Sequence, residues 1–406
     1  MFKKVNKLIS QLRVNRKLVL FFIFFLTFIL FYSYVSISFL GKYNSDIKDH
    51  IDMSYLGIFY SLMGTIIKMI LTLSGYYASI LISILLSSFI IFSIFETEKI
   101  INYLLEKFRI KINKDICFFI SICLIFITAI YIPGYSPIFF GKFFTKNKIL
   151  ITSMSAQPWH NTTYIGMRLF ALQVMYKYMY ILIENDIKFK DYVEFLILLL
   201  LVNAVKPNFI IAFAPMVGLF IIYDFFSSLW KKKKVDLKKF LFLSICLIVS
   251  TVVLYFQYKI LYSKDSGSSV AFTLKNFKPL ILERNFYKIS LLGVIFPIIV
   301  LLSCIKNRYL PKILFQSWVL FFISFLERIF FIELGYREKH GNFFWGGYFA
   351  GYFLFLVSIV LILVMYNKKI ISKKEYYIFF VIFLLHVVSG IIYFLMLLSG
   401  DFYVLI

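Results

Sequence analysis

Acidic residues and histidine are scarce in this sequence. Its 406 residues include 20 Asp and Glu and 4 His, and charged residues of both signs make up 16% of the chain. A water-soluble protein of this length needs more charge to cover its surface, so the composition excludes a soluble globular protein. Hydrophobic residues reach 61% and occur in continuous runs rather than in alternation, which argues for spanning helices and against a β-barrel.

Cysteine is equally rare. The four cysteines, Cys117, Cys123, Cys246 and Cys304, all lie within apolar runs. Such positions are typical of small hydrophobic residues in a core, so we predict neither disulfides nor cysteine ligands to a metal. The spacing of the histidines and cysteines does not fit a zinc site either.

The apolar runs predict an all-α polytopic membrane protein with a single integral-membrane domain over residues 1–406. Each spanning helix takes roughly 20 apolar residues, and the runs predict about 10 to 11 transmembrane helices. Within 41–74, a further apolar stretch is predicted to lie along the membrane interface as an amphipathic helix, and a span is the alternative. Lys206-Pro207-Asn208 interrupts another run, because proline disfavours helix at the residue before it.

Basic residues are abundant, and the 44 Lys and Arg give a net charge of +24. Most of them fall in residues 1–17 and in short loops, where the positive-inside rule places them in the cytoplasm beside anionic lipid. We therefore predict a cytoplasmic N-terminus and no nucleic-acid partner. The same rule places four loops on the outer face: 41–74, 133–161, 259–286 and 333–345.

The first outer loop gathers Asp46, Asp49, His50 and Asp52. If this segment is helical, these residues are neighbours on one surface. Asp49, Asp52 or His50 could then act as a general base that takes a proton from a sugar hydroxyl. Asp49 and Asp52 could also hold a divalent cation such as Mg or Mn through oxygen ligands. A solvated loop between two apolar helices is the alternative interpretation.

The second outer loop ends in Trp159-His160-Asn161. Asn161 or Thr162 suits a helix N-cap and Trp159 suits the membrane interface, which explains both structurally. His160 has no such explanation, so we include all three residues among the candidates for substrate binding. Arg168 follows inside the apolar run and needs a partner or a cavity, and a lipid phosphate would suit its planar fork.

The third outer loop carries Arg337, His340 and Asn342. Its cations could hold a phosphate or pyrophosphate, and a salt-bridged loop is the alternative interpretation. Lys206 at the predicted helix break is a further phosphate candidate, because a cation there must be buried in protein or line a cavity. Glu327 and Arg328, near the end of a predicted span, point about 100° apart, so each needs a separate partner.

Taken together, these features resemble the GT-C superfamily of membrane glycosyltransferases and the polysaccharide polymerases of bacterial envelopes. The resemblance covers most of the chain and rests on the acidic loop Asp46 to Asp52, Trp159-His160-Asn161 with Tyr164 and Arg168, Lys206-Pro207, and Glu333 through Trp345. Other members carry proline at the positions of Thr162 and Leu169, where this chain departs from the pattern.

The resemblance implies a GT-C-like fold and an inverting transferase. Such an enzyme takes a sugar from a polyprenyl phosphate or diphosphate donor on the outer face of the bacterial plasma membrane and passes it to a glycan acceptor. An acid after the first helix acts as base, and cations hold the leaving phosphate. The expected partners are membrane lipids, the donor, the acceptor and other glycan-assembly proteins, with no certain cofactor. A transporter or flippase of an isoprenoid-linked glycan is the alternative function.

Overall fold

The computed structural model describes residues 15–40, 46–52, 54, 62–130, 159, 161–231, 236–264, 269–274, 286–335, 343 and 345–400. Helices dominate these ranges. In chain order they are α1 Arg16–Phe39, α2 Asp46–Asp52, α3 Leu62–Ser74, α4 Ala78–Lys107, α5 Lys114–Ile125, α6 Thr162–Ile183, α7 Phe189–Val205, α8 Asn208–Trp230, α9 Leu237–Lys264, α10 Phe286–Lys306, α11 Lys312–Phe330, α12 Trp345–Asn367 and α13 Lys373–Leu398.

The chain is an all-α, multi-pass membrane protein. Among the described residues, 7 helical segments are long and apolar enough to cross a membrane: Arg16–Phe39, Leu62–Lys107, Asn208–Trp230, Leu237–Tyr262, Lys312–Phe330, Trp345–Asn367 and Lys373–Leu398. Among the other helices, α5 has 12 residues and α7 has 17, and α6 carries the buried Arg168. The finer count of ten or eleven spans therefore stays a prediction.

Ion pairs and cation–ring contacts join helix termini at one end of the bundle, which we call the ion-pair end. The pairs are Arg16–Glu98, Arg16–Asp115, Lys107–Glu184, Lys177–Asp191, Lys312–Asp224 and Lys306–Glu375. Lys368, which follows α12, lies 5.8 Å from the ring of Phe108 and 5.5 Å from that of Tyr309. The starts of α1, α5, α7, α11 and α13 therefore lie at this end, together with the last turns of α4, α6, α8, α10 and α12.

We call the opposite end, where α6, α8 and α12 begin, the cluster end. Helix α1 runs toward it and α4 runs back from it, so α2 and α3 between them both lie there. Helix α3 has 13 residues, and Met63 near its start reaches the second turn of α6 beside Gly166. It is about 20 Å long at 1.5 Å per residue, and because α1 ends and α4 begins at the cluster end, it does not pass between the two ends of the bundle.

Helix α12 occupies the centre of the bundle. It is apolar on all sides and buried from Trp345 to Met365, and it packs against α4, α5, α6, α8, α10, α11 and α13. The peripheral helices instead expose large apolar side chains, as α1 does at Phe21 and Phe22 and α9 at Ile245 and Ile248. Such an exposed surface is typical of helices that face lipid.

Two short strands complete the described structure. Strand β1, Ser269–Phe272, pairs antiparallel with β2, Phe331–Leu334, with Val270 opposite Glu333. The hydroxyl of Tyr262 near the end of α9 donates to Glu333 Oε1 at 2.5 Å. This strand pair, which the apolar pattern did not predict, joins the chain segments 259–286 and 333–345. The four cysteines are buried and free, as the sequence predicted.

Candidate functional site

Lys206 lies at the predicted break between two helices. Helix α7 ends at Val205 and α8 begins at Asn208, and Lys206 is extended at φ −165° and ψ 107° because Pro207 disfavours helix before it. The side chain is 5% exposed. Its Nζ donates to Thr163 Oγ1 at 2.9 Å and to Asn161 Oδ1 at 3.3 Å. This ammonium is therefore buried and held by the start of α6.

The starts of three helices converge around this ammonium. Asn161 caps α6, and its Oδ1 accepts from the backbone N–H of Tyr164 at 2.7 Å. Lys206 Nζ also lies 4.7 Å from the ring centroid of Trp345, the first residue of α12, and α8 begins two residues after Lys206. Each helix start carries roughly half a positive charge, so about +1.5 adds to the charge of Lys206. This excess of positive charge favours a bound anion.

Arg168 places a second buried cation about one and a half turns into α6. It is 2% exposed, and its guanidinium lies 5.7 Å from the ring centroid of Tyr352. The Tyr352 hydroxyl is in turn 2.6 Å from Thr97 Oγ1 of α4. Within the described part of the chain, Nε and Nη2 of Arg168 form no hydrogen bond.

Two magnitudes show why Arg168 needs a further partner. A centrally placed arginine costs about 2.5 to 3.5 kcal/mol on insertion scales. A cation–ring contact returns only about 0.5 to 2 kcal/mol. The guanidinium therefore retains unused hydrogen-bonding capacity that suits a polar ligand, above all a phosphate.

Tyrosine rings connect Arg168 to a third cation. The ring centroid of Tyr164 lies 6.1 Å from that of Tyr348, and Tyr348 interacts electrostatically with Arg328 of α11. Arg328 and its neighbour Glu327 are 5% and 6% exposed. We call this set the polar cluster: Asn161, Thr163, Tyr164, Arg168, Lys206, Glu327, Arg328, Trp345, Tyr348 and Tyr352.

The first outer loop contacts the polar cluster through His50. Its Nε2 lies 3.3 Å from Thr163 Oγ1, the same oxygen that accepts from Lys206. The backbone of Asp49 and Asp52 lies in α2 with His50, while their side chains fall outside the described residues. Helix α2 thus places His50 beside the start of α6.

A metal site is not found in the described part of the chain. No group of three or more His, Cys, Asp and Glu side chains in those ranges could hold a metal ion. The predicted cation ligands, the carboxylates of Asp49 and Asp52, lie outside the described side chains, so a Mg or Mn site there stays a prediction.

Trp159, which precedes α6 in the chain, packs in an aromatic cluster. Its ring centroid lies 4.9 Å from that of Phe394, 6.0 Å from Phe126 and 6.5 Å from Phe31, and the residue is 4% exposed. These contacts anchor the segment before α6 to α1, α5 and α13. Packing accounts for this tryptophan in the structure, and its predicted role in substrate binding stays a prediction.

Four predicted site residues, His160, Arg337, His340 and Asn342, lie outside the described residues. Their roles remain predictions. The flanking residues place the third outer loop, since β2 precedes it and Trp345 at the start of α12 follows it. Both flanks lie at the cluster end, on the side where Lys206 is buried.

Two members of the polar cluster on α12 were not predicted from the sequence. Tyr348 and Tyr352 follow Trp345 by three and seven residues, a spacing that places all three on one face of a helix. The spacing was available in the sequence. An apolar helix rich in aromatic residues presents many such triplets. The buried cations that distinguish this triplet lie on α6, on α11 and at the break between α7 and α8.

Comparison with protein-family models, with curated proteins and with solved structures finds no match to this chain.

Proposed function

We propose that this chain is a membrane glycosyltransferase or polysaccharide polymerase of the GT-C type, which takes its sugar from a polyprenyl phosphate or diphosphate donor. One observation carries the proposal. Three helix starts and the buried cations Lys206, Arg168 and Arg328 gather at one end of the bundle. Such an arrangement suits an anion whose attached chain lies in lipid.

The donor has the matching shape. Its isoprenoid tail is soluble only in the hydrocarbon, while its phosphate and sugar lie at the interface, so the reaction must occur where polar residues meet helix ends. Fixed cations stabilise the charge that develops on the departing phosphate. We assign that role to Lys206 and Arg168, with Arg337, His340 and Asn342 as further candidates.

The acceptor side of the reaction requires a base. Asp49, Asp52 and His50 are the bases that the GT-C resemblance implies. The side chains of His50 and Lys206 both contact Thr163 Oγ1, so a single hydroxyl group lies between them. A proton acceptor in α2 would therefore stand close to the proposed phosphate site.

Topology supports the same proposal. The ion-pair end collects basic loops, which the positive-inside rule assigns to the cytoplasm. The cluster end then faces outward from a bacterial plasma membrane, with α2 and α3 at its surface. We propose that α1 and each helix from α4 to α13 cross the bilayer.

A direct assay tests the proposal. We would reconstitute the purified protein in lipid nanodiscs and supply sugars linked to polyprenyl phosphate or polyprenyl diphosphate, with a glycan acceptor. Transfer of the sugar is the expected result. Charge-assisted hydrogen bonds contribute about 1.5 to 3 kcal/mol, so Arg168→Gln or Lys206→Met should weaken polyprenyl phosphate binding by roughly 10- to 100-fold.

Lys312→Met is the matched control, because Lys312 pairs with Asp224 at the ion-pair end. It should leave polyprenyl phosphate binding unchanged. Absence of transfer from either donor class, together with polyprenyl phosphate binding that Arg168→Gln and Lys206→Met do not alter, would overturn the proposal.

A flippase of an isoprenoid-linked glycan is the second candidate. The break between α7 and α8 at Lys206 favours it, since interrupted helices bind anionic groups in transporters. However, the break lies at the cluster end, while cations at the ion-pair end such as Lys177 and Lys312 pair with carboxylates. Movement of a labelled glycolipid between leaflets of proteoliposomes, without sugar transfer, would select this alternative.

A further inference from the structure

Glu327 is a buried carboxylate that the proposed reaction has not yet used. It lies near the end of α11 at the cluster end and is 6% exposed. Within the described residues, its Oε1 accepts no hydrogen bond. A buried acceptor without a donor loses about 1 to 3 kcal/mol, more when charged, so a ligand that brings a donor to this oxygen is favoured. Ionisable residues inside membrane proteins commonly mark functional sites.

Gly346 lets Glu327 adjoin the first turn of α12, which Lys206 also contacts. A Cβ atom at Gly346 would lie 2.7 Å from the carbonyl oxygen of Asn208 and 3.8 Å from Glu327 Oε2. The preceding residue, Trp345, contacts the ammonium of Lys206. The carboxylate and the ammonium therefore both adjoin the first turn of α12, where α8 also begins.

Charge balance in this region gives Glu327 a distinct chemistry. Arg328 follows Glu327 but points about 100° away on the helix, and it interacts with Tyr348. Among the described side chains of the polar cluster, Lys206, Arg168 and Arg328 are cations and Glu327 is the single carboxylate. An anionic donor phosphate fits the cations, and a hydroxyl group, which can donate a hydrogen bond, fits the carboxylate.

We propose that Glu327, rather than a residue of α2, is the catalytic base for the acceptor hydroxyl, an inference that rests on the proposed function. Glu327 takes the proton of an acceptor sugar hydroxyl as that oxygen forms a bond to the anomeric carbon of the donor. The bond from this carbon to the phosphate oxygen breaks, and its electron pair stays with the polyprenyl phosphate beside Lys206 and Arg168. The carboxyl proton then passes to water.

The experiment compares Glu327→Gln and Glu327→Asp with the wild-type protein, measuring sugar transfer and donor binding separately. General-base catalysis typically contributes 10²- to 10⁴-fold. We expect Glu327→Gln to lower kcat by at least about 100-fold while donor binding stays within about threefold of wild type. Glu327→Asp, which keeps the carboxylate, should retain measurable turnover.

Glu333→Gln is the matched control, because Glu333 is also a buried glutamate of the cluster end but accepts from Tyr262. It should keep the wild-type kcat. An active Glu327→Gln protein, or a loss of donor binding equal to the loss of turnover, would overturn the assignment. Loss of turnover in Asp49→Asn or Asp52→Asn, with Glu327→Gln active, would move the base to α2.

The same assay separates the two proposals. Transfer by the wild-type protein with an unaffected Glu327→Gln variant removes Glu327 as base and leaves the glycosyltransferase standing. Absence of transfer by the wild-type protein, together with polyprenyl phosphate binding that Arg168→Gln and Lys206→Met do not alter, removes both. Thermal unfolding of each variant in detergent verifies folding. If the Glu327→Gln protein does not fold, the kcat of Glu327→Asp is compared with the kcat of Glu333→Gln to decide the role of Glu327.

Discussion

Lys206 and Thr163 are 43 residues apart in the chain, and their side chains meet at 2.9 Å between Nζ and Oγ1. Thr163 Oγ1 also lies 3.3 Å from His50 Nε2. One hydroxyl group thus joins α2, α6 and the break between α7 and α8. Asn161 binds both Lys206 and the start of α6. Different substitutions of Asn161 are therefore expected to affect the anion site and the fold to different extents.

Asn161→Ala and Asn161→Asp separate these two effects. Loss of the N-cap in Asn161→Ala should lower the free energy of unfolding by about 0.5 to 2 kcal/mol. Asn161→Asp retains a capping oxygen and should unfold near the wild-type temperature, but its carboxylate neutralises Lys206 and should weaken polyprenyl phosphate binding. Thermal unfolding and phosphate-lipid binding measure the two. Unchanged binding in Asn161→Asp would count against an anion at Lys206.

Gly346→Ala tests the close approach of α12 to α8. The new Cβ would lie 2.7 Å from the backbone oxygen of Asn208, so one helix must shift, and we expect a destabilisation of about 1 to 3 kcal/mol. Gly347→Ala is the control, since its Cβ would meet Ser324 Cβ at 3.9 Å, an ordinary contact. Equal melting temperatures for the two variants would show that this approach is not tight.

Gly390→Ala tests the contact between α13 and the end of α5. A Cβ at Gly390 would overlap the carbonyl oxygen of Phe126, beside the ring of Trp159. Because backbone must move, we expect a loss of about 3 kcal/mol or more. Within the described residues, a Cβ at Gly218 in α8 meets nothing within 4 Å, so Gly218→Ala should stabilise its helix by up to about 1 kcal/mol. A Gly390→Ala protein as stable as wild type would contradict this packing.

Glu184 predicts a pH dependence at the ion-pair end. The hydrogen bond from Lys107 holds the pKa of Glu184 below its ordinary value, and Tyr103 donates to it at 2.8 Å. With the folded-state pKa depressed, the stabilisation is complete above the ordinary glutamate pKa of about 4.3 and is lost as the pH falls through the folded-state pKa.

Glu184→Gln should therefore be less stable than wild type by up to about 1 kcal/mol at pH 7, in keeping with a largely solvated ion pair. The difference between the two melting temperatures should shrink once the pH is lowered below about 4.3. A difference that stays constant from neutral to strongly acidic pH would show that the Lys107 pair does not stabilise the fold.

Local features of the structure were predictable because their causes lie within a few residues. The break at Lys206 follows from the ring of Pro207, and the start of α6 follows from the capping side chain of Asn161. Trp159 shows the limit of such reasoning. Its amphipathic ring predicts the membrane interface, while in the structure three phenylalanines from three distant helices surround it.

The sequence by itself determined that this is a helical membrane protein, because long apolar segments with so few charges are stable only within a lipid bilayer. It also determined where several helices begin and end. Only the tertiary structure decided that the starts of α6, α8 and α12 meet around Lys206 and that Glu327 reaches Gly346. Those contacts depend on how helices far apart in the chain pack, and periodicity along a single helix carries no information about its neighbours.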